Sequence, residues 1–338
     1  MKAKFKNMSD TNLLLTITIV IFFLMYIGAI LFLGEGFLKP QAFFNILNSQ
    51  AALIITSCGL SLVMITGGID ISVGGVVALV SMSCAVLLDY KGGNIVEAIL
   101  LAIGIGLAFG IVQGFLVAYL DIQPFIVTLA GMFFARGLTT IVHTNPFNVE
   151  HAGFIALKDT RIYIPGMGSF NKKGVYIPAY INIGVIVAIV VVIVLFCVLR
   201  WSKAGRHFYA VGGNRQSALM LGINVKRTVF ASHVLCGLLA GIAGFVYFMY
   251  VGSGSPAHAS GMEMNAIASS IIGGTLLTGG VGNIIGTLFG VLSLSTIQNI
   301  VQSAGLDQAW WTNITIAAML CLFLVIQSIV MARKKSAE

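Results

Sequence analysis

Long apolar runs, most of them long enough to cross a lipid bilayer, are the feature that most constrains the fold of this sequence. A transmembrane helix needs roughly 20 apolar residues. Ten runs follow one another along the 338 residues, at 13–33, 50–65, 72–88, 95–120, 125–142, 181–199, 229–251, 264–277, 284–301 and 310–331. The sequence therefore predicts an all-α, polytopic membrane protein with about ten transmembrane helices, in a single domain over residues 1–338.

The overall composition excludes the main soluble alternatives. Apolar residues make up 58% of the chain and charged residues only 9%, whereas soluble domains carry roughly 25% charged residues. A water-soluble domain of this length buries at most about 75% of its unfolded surface, so it could not hide this much apolar side chain. A soluble enzyme, a DNA-binding module and a disordered scaffold are therefore excluded.

The net charge of +8 is concentrated beside the apolar runs. Twelve of the nineteen Lys and Arg residues lie within residues 2–6, 200–227 and 333–335, and residues 200–227 contain no acid. Basic loops of this kind are retained in the cytoplasm. Ten spans and the charge rule together predict cytoplasmic termini, a cytoplasmic loop at 200–227 and an extracytoplasmic loop at 145–180. The first run is too long for a signal peptide and lacks an A-x-A site, so we expect a retained helix.

Regularly spaced glycines suggest an internal repeat. Two overlapping GxxxG steps occur in the fourth run and two more in the ninth, at Gly106, Gly110, Gly114, Gly282, Gly286 and Gly290. The two runs lie five spans apart and so cross the membrane in opposite directions. This predicts two inverted-topology halves after an N-terminal helix, as in many transporters. Close helix packing without a repeat is the alternative, because GxxxG also serves that purpose alone.

The sequence lacks the elements of ATP hydrolysis and metal binding. The dipeptide Gly-Lys does not occur, so there is no Walker A loop. The five cysteines lie within apolar runs, and neither they nor the five histidines have the spacing of metal ligands. We therefore predict no catalytic residue, no metal site and no cofactor in this chain.

Two polar stretches interrupt the pattern. Residues 203–228 are too polar to span the membrane. Within them, Gly212-Gly213-Asn214 predicts a turn, after which residues 215–221 are expected to form a short helix. Asn214 would cap the start of this helix and Gly222 would follow its end. Such a helix presents a small surface to a partner, although a plain surface loop is the alternative. Residues 66–72 form a break in which Asp70 either caps a helix or lines a cavity at membrane depth.

Several motifs carry a resemblance to a known family. Residues 209–224 resemble the coupling loop of ABC-importer permeases for monosaccharides, of the ribose/galactose/xylose type. The likeness extends through residues 66–74, 124–137, 266–282 and 310–312, and covers about residues 45–327. Residues 128–137 and the Trp310-Trp311-Thr312 opening resemble most closely one permease of a galactofuranose-type importer. Ser217 departs from the pattern, since many members carry Ala there, and its small size fits the same groove.

The resemblance implies a division of labour in a bacterial cytoplasmic (inner) membrane. This chain would form the translocation pathway with a second permease, which is a different, homologous chain in the galactofuranose type and an identical copy in the ribose type. A substrate-binding protein would deliver the sugar, and a separate ABC ATPase would hold ATP and magnesium. The expected ATPase contact comprises Arg215, Ser217, Ala218, Leu221 and Gly222.

Polar and aromatic residues within the spans are candidates for the sugar pathway. They are Asn45, Asn48, Gln50, Asp70, Thr128, Phe133, Phe134, Arg136 and Asn265. Each could instead pack or cap, because helix bundles use polar groups to hold helices together. Two other functions stay open: an ion-coupled secondary sugar carrier, and a membrane-embedded enzyme that would use Asp70 and Arg136. The carrier gives no role to the capped cytoplasmic helix, and no span shows two catalytic groups at helical spacing for the enzyme.

Overall fold

The structure, a computed structural model, describes residues 10–170, 175–306 and 308–335. These residues form fourteen helices: α1 (Asp10–Leu33), α2 (Glu35–Leu38), α3 (Pro40–Ile65), α4 (Val73–Asp89), α5 (Ile95–Tyr119), α6 (Pro124–Val142), α7 (Ala152–Lys158), α8 (Ile183–Trp201), α9 (Lys203–Gly213), α10 (Arg215–Met220), α11 (Val225–Val251), α12 (Met262–Ile272), α13 (Ile284–Ser303) and α14 (Ala309–Lys335). The prediction of an all-α polytopic membrane fold is confirmed.

Eight of these helices are long and apolar enough to cross a membrane: α1, α3, α5, α6, α8, α11, α13 and α14. The third and eighth predicted spans correspond to the shorter helices α4, with 17 residues, and α12, with 11. The predicted eighth span extends to residue 277, but α12 ends at Ile272 because Gly273 and Gly274 follow it and Gly274 has a φ of +88°. Both short helices begin inside the bundle rather than at its surface, as described below.

The strands of two small antiparallel sheets come mostly from the predicted extracytoplasmic loop at residues 145–180. Strand β1 (Phe147–Asn148) pairs with β4 (Ser253–Gly254), and β2 (Arg161–Phe170) forms a hairpin with β3 (Tyr176–Asn182). The base of the hairpin is fastened to α3. Gln41 Oε1 accepts the N–H of Tyr180 at 2.8 Å, and Asn48 Oδ1 accepts the N–H of Asn182 at 2.8 Å.

This attachment explains an error in the predicted second span. The sequence places its start at residue 50, whereas α3 begins ten residues earlier, with Pro40 in its first turn. Gln41 and Asn48 lower the hydropathy of this stretch without ending the helix, because their amides bond the backbone of β3. Proline is well tolerated at the first helical position, where its missing N–H is not needed.

Glycines allow the closest helix contacts in the bundle. Helix α5 crosses α11 so closely that a Cβ on Gly237 would lie 2.6 Å from Gly110 Cα. Helix α13 approaches the end of α12 in the same way, where a Cβ on Gly290 would lie 2.8 Å from the backbone nitrogen of Gly273. Any larger side chain would force the backbones apart, so both glycine sets serve close helix packing.

Helices α3 to α6 form one group of four and α11 to α14 a second group, and the two groups make corresponding contacts. Helix α4 packs on α5 and α6, as α12 packs on α13 and α14. Helix α5 packs on α11, as α13 packs on α3, and α3 and α11 contact each other at the centre. Two equivalent halves should show such corresponding contacts. Their inverted arrangement in the membrane stays a prediction.

Candidate functional site

The short helix α10 lies on the same face as the ends of α3 and α5. Asn214 caps it, because its Oδ1 accepts the N–H of Ser217 at 2.9 Å. The helix ends at Met220, and Gly222 follows with a φ of +79°, a conformation that glycine adopts without steric cost. The predicted N-cap and C-terminal glycine are therefore confirmed.

The predicted turn at Gly212-Gly213-Asn214 is wrong in part, since α9 continues through Gly213 and the break comes at Asn214. Gly212 serves close packing instead, because a Cβ there would lie 2.5 Å from the backbone nitrogen of Gly280 and would also collide with the carbonyl of Ile65. One turn earlier, the Tyr209 hydroxyl donates to the Gly282 carbonyl at 2.8 Å. Burial raises the pKa of Tyr209 to about 12, although the Arg200 charge opposes the shift.

The inner side of α10 packs on its own chain. Ala218 is 1% exposed and joins an apolar cluster with Val117 on α5 and Val127 on α6. Beside this contact, Arg215 Nη2 lies 3.7 Å from Asp121 Oδ1, in the turn between α5 and α6. Ala218 therefore anchors α10 to the rest of the chain, and its buried side chain is not accessible to a partner protein.

The outer side of α10 is strongly apolar. Leu219, Met220 and Leu221 are 65%, 88% and 78% exposed, and Arg215, Ser217 and Gly222 are exposed around them. A contiguous exposed apolar patch of this kind marks an interaction site. Leu219 and Met220 were not among the predicted contact residues, although three successive large apolar residues in a loop too polar to span were a signal.

The first break in the bundle lies between α3 and α4. After Ile65 the chain turns at Gly67, whose φ is +85°, and then runs back along α6. The Thr128 hydroxyl on α6 shares its one proton between the Pro124 carbonyl of its own helix, at 2.9 Å, and the Ile69 carbonyl, at 3.3 Å. Helix α4 therefore begins inside the bundle, beside the middle of α6.

The second break lies between α11 and α12. The chain turns at Gly252, whose φ is +73°, and re-enters the bundle before α12 begins at Met262. Arg136 on α6 donates to the His258 carbonyl at 2.5 Å and to the Ala259 carbonyl at 2.7 Å. Arg136 lies about 18 Å along α6 from its first residue, at a rise of about 1.5 Å per residue. Arg136 is about 9 Å from the last residue of α6, Val142, so this break lies about two-thirds of the way along the helix.

The first turns of the two short helices meet. A Cβ on Gly74 of α4 would lie 3.1 Å from the backbone nitrogen of Glu263 on α12 and would collide with the Glu263 carboxylate. Glu263 is 9% exposed, and its Oε2 lies 3.8 Å from Arg136 Nη2, without a hydrogen-bond partner among the described residues. In the first break, Asp70 Oδ1 accepts the Ser72 hydroxyl at 2.6 Å and the Ser72 N–H at 2.9 Å. Each short helix thus begins beside a carboxylate, which its N-terminal dipole favours.

The structure divides the pathway candidates into two groups. It brings Asp70, Thr128 and Arg136 to the breaks, where all three bond the freed backbone, as membrane depth requires. Phe133, Phe134 and Asn265 lie on the same helices, α6 and α12, with both phenylalanines largely exposed. The remaining candidates, Asn45, Asn48 and Gln50, lie on the outer part of α3, away from the breaks.

Glu263 was overlooked in the sequence, although an acid within the apolar run at 262–277 was a signal. A broken helix explains how this charge is accommodated, because both a helix N-terminus and Arg136 lie beside it. Among the described residues, no group of three or more His, Cys, Asp or Glu side chains could hold a metal ion.

Comparison with known proteins identifies the class of this chain. A family model described as the permease component of a branched-chain amino acid transport system matches residues 42–324. The chain belongs to this family. The permease is also 37% identical over 320 residues to an inner membrane ABC transporter permease, YjfF of Escherichia coli. The matched region covers 95% of this chain and 93% of that protein.

Two further relatives carry a substrate in their names. The permease is 35% identical to the fructose import permease FruG of Bifidobacterium longum, over 93% of this chain and 90% of that protein. It is 33% identical to the ribose import permease RbsC of Escherichia coli, over 89% and 90%. No solved structure gives a significant match. Permease components of this family work with a separate ATPase and a substrate-binding protein.

Proposed function

We propose that this permease, with a second permease chain, forms the translocation pathway of an ATP-driven monosaccharide importer. Its class is that of a permease subunit of an ABC sugar importer. Sugar, rather than the amino acid of the family description, is supported by relatives named for fructose, ribose and galactose import. A galactofuranose-like sugar is the narrower proposal, and its support is the resemblance of residues 128–137 and 310–312. ATP and magnesium belong to the ATPase, and this chain needs no cofactor of its own.

The apolar outer side of α10 is the observation that carries the proposal. Leu219, Met220 and Leu221 expose three successive large apolar side chains at the end of a short helix that lies outside the membrane-spanning helices. A groove on the ATPase would cover them, with Arg215, Ser217 and Gly222 at the rim. Ala218 holds the helix against α5 and α6 from behind.

A second permease chain would complete the pathway. At the second break, Arg136 keeps 23% of its side chain exposed. Phe133 lies one helical turn before Arg136 and is largely exposed, and Met264 and Asn265 lie on the neighbouring helix α12. These groups would form one wall of a passage, with an aromatic ring, a guanidinium and one amide that suit a sugar. We expect Asp70 and Thr128 to support this wall and Asn45, Asn48 and Gln50 to line its outer mouth.

The orientation in the membrane follows from the basic residues. Helices α9 and α10 lie on the same face as residues 66–68, 121–124 and 279–282. Residues 200–227 hold six basic residues and no acid, which supports a cytoplasmic location of this face under the positive-inside rule. Both termini would lie on this face and residues 145–180 outside. Lys2, Lys4 and Lys6 support a cytoplasmic N-terminus, whereas Lys172 and Lys173 in the proposed outer loop oppose this orientation. These five lysines lie outside the described residues.

Copurification tests the proposal. The permease would be tagged and expressed with a candidate ABC ATPase, a candidate second permease and a candidate binding protein from the same organism, and the purified membrane complex would be analysed for bound subunits. We expect the ATPase and a second permease to copurify, and the complex to hydrolyse ATP faster with the sugar-loaded binding protein. A permease that purifies without any ATPase and takes up sugar in proteoliposomes under an ion gradient would support the secondary carrier instead.

A further inference from the structure

Two residues adopt a backbone conformation that side chains disfavour. Among the described residues other than glycine, only Asp121 and Ala259 have a positive φ, at +53° and +51°. Asp tolerates this left-handed region better than most residues, whereas Ala gains nothing from it. Such conformations persist where surrounding contacts enforce them, and they concentrate at functional sites. Both residues lie at points where α6 meets another element.

Asp121 joins the start of α6 to α10, which we call the coupling helix after its proposed contact with the ATPase. Its carboxylate lies 3.7 Å from Arg215 Nη2 on α10 and 3.9 Å from Lys226 Nζ on α11. Exposed ion pairs contribute little stability, and the apolar contact of Ala218 with Val127 on α6 holds the two helices together. The ion pairs therefore orient α10 on the turn before α6.

Ala259 joins the middle of α6 to the break before α12. Its carbonyl accepts a hydrogen bond from Arg136 at 2.7 Å, and the adjacent His258 carbonyl accepts the second guanidinium bond. Its N–H donates to the Tyr247 hydroxyl at 3.3 Å, which fixes the peptide from the other side. A guanidinium holds two acceptors in a fixed planar geometry, so a shift of α6 acts directly on this strained residue.

We propose that Asp121 and Arg136 are positioning residues that link α6 to the coupling helix at one end and to the break before α12 at the other. Through these two residues, α6 transmits a displacement of the coupling helix to that break. The inference rests on the proposed docking of the ATPase on α10. Helix α6 suits this role because it is continuous from Pro124 to Val142. A displacement at its cytoplasmic end therefore reaches Arg136, and through it α12, whose first turn contacts that of α4.

The test measures ATP hydrolysed per sugar taken up by the full importer in proteoliposomes. The probe is radiolabelled ribose, fructose or galactose, whichever the wild-type importer takes up. For Asp121→Asn and Arg136→Lys, we expect the ATPase to stay bound while this ratio rises about threefold or more. Because both residues act on one route, the double variant should be no worse than the more impaired single variant. Asp159→Asn, an exposed acid without an ion pair in the described structure, should leave the ratio unchanged.

A further variant covers the case in which Arg136→Lys fails to assemble. Ala259→Gly keeps the carbonyl that Arg136 holds and removes the backbone strain, so the unfolding temperature should not fall while the ATP-to-sugar ratio rises. Unchanged ratios in Asp121→Asn and Ala259→Gly would overturn the inference, as would impairments in the double variant that multiply as independent effects. A wild-type complex that binds no ATPase would instead refute the proposed function, before any variant is compared.

Discussion

Replacement of Met220 by Ala tests whether the outer side of α10 is the ATPase contact. Met220 is the most exposed of the three apolar residues there, at 88%. Its side chain makes no contact that the fold needs, because Ala218 alone seats the helix on the core. The variant should therefore fold and insert as the wild type does, and its effect should appear only when the ATPase binds.

The size of the effect follows from the surface that Met220 offers. Complete burial of an exposed methionine side chain contributes about 1.5–3 kcal/mol. Because Ala retains the Cβ, we expect the substitution to cost about 1–2 kcal/mol of binding free energy. That loss corresponds to an approximately fivefold to thirtyfold higher dissociation constant.

A titration of purified ATPase onto the permease in nanodiscs, without ATP, measures this dissociation constant. Met167→Ala is the matched control, because Met167 is also exposed but lies in the β2–β3 hairpin on the opposite face. We expect weaker binding for Met220→Ala and unchanged binding for Met167→Ala. Equal affinities for Met220→Ala and the wild type would refute the assignment of this surface, and a loss confined to Met167→Ala would place the ATPase on the hairpin face.

Three further predictions concern the elements that hold the coupling helix and the bundle. Gly222→Ala should destabilise α10 by about 1 kcal/mol, because its positive φ disfavours a Cβ that otherwise meets open space; Gly213→Ala, with equal space and no positive φ, is the control in thermal unfolding. Gly237→Ala should lower the free energy of unfolding by about 1–3 kcal/mol, since its Cβ would overlap the backbone of α5. Tyr209→Phe should cost about 1 kcal/mol through the lost hydrogen bond. Burial raises the pKa of Tyr209 from 10.0 to about 12. The wild type should therefore be more stable than Tyr209→Phe below pH 10 and lose this difference as the pH rises towards 12. A difference in the free energy of unfolding that stays constant from pH 10 to 12 would contradict the buried hydrogen bond.

The fold could be predicted from the sequence wherever the apolar pattern was long and uninterrupted. Spans such as α5 and α13 appear almost at their predicted bounds, because lipid requires long apolar helices with their backbone bonds satisfied internally. The cap of α10 was also predictable, since Asn214 and Gly222 act through local backbone geometry. Local chemistry of this kind is present in the sequence itself.

Features that depend on contacts distant in sequence could not be predicted. The start of α3 was placed too late, because Gln41 and Asn48 find partners in β3 more than 130 residues away. Gly212 suggested a turn, whereas its role is to let α9 approach Gly280. Arg136 was recognised as a candidate, but its partners His258 and Ala259 follow only from the path of the chain through the second break.

The most direct test of the central claim is sugar uptake by proteoliposomes that contain the complete importer, with ATP on the side of the ATPase. The account predicts uptake that requires hydrolysable ATP and the ATPase subunit, and that continues when ionophores abolish ion gradients. Uptake by the permease without its ATPase, lost when ionophores are added, would contradict it and identify an ion-coupled carrier.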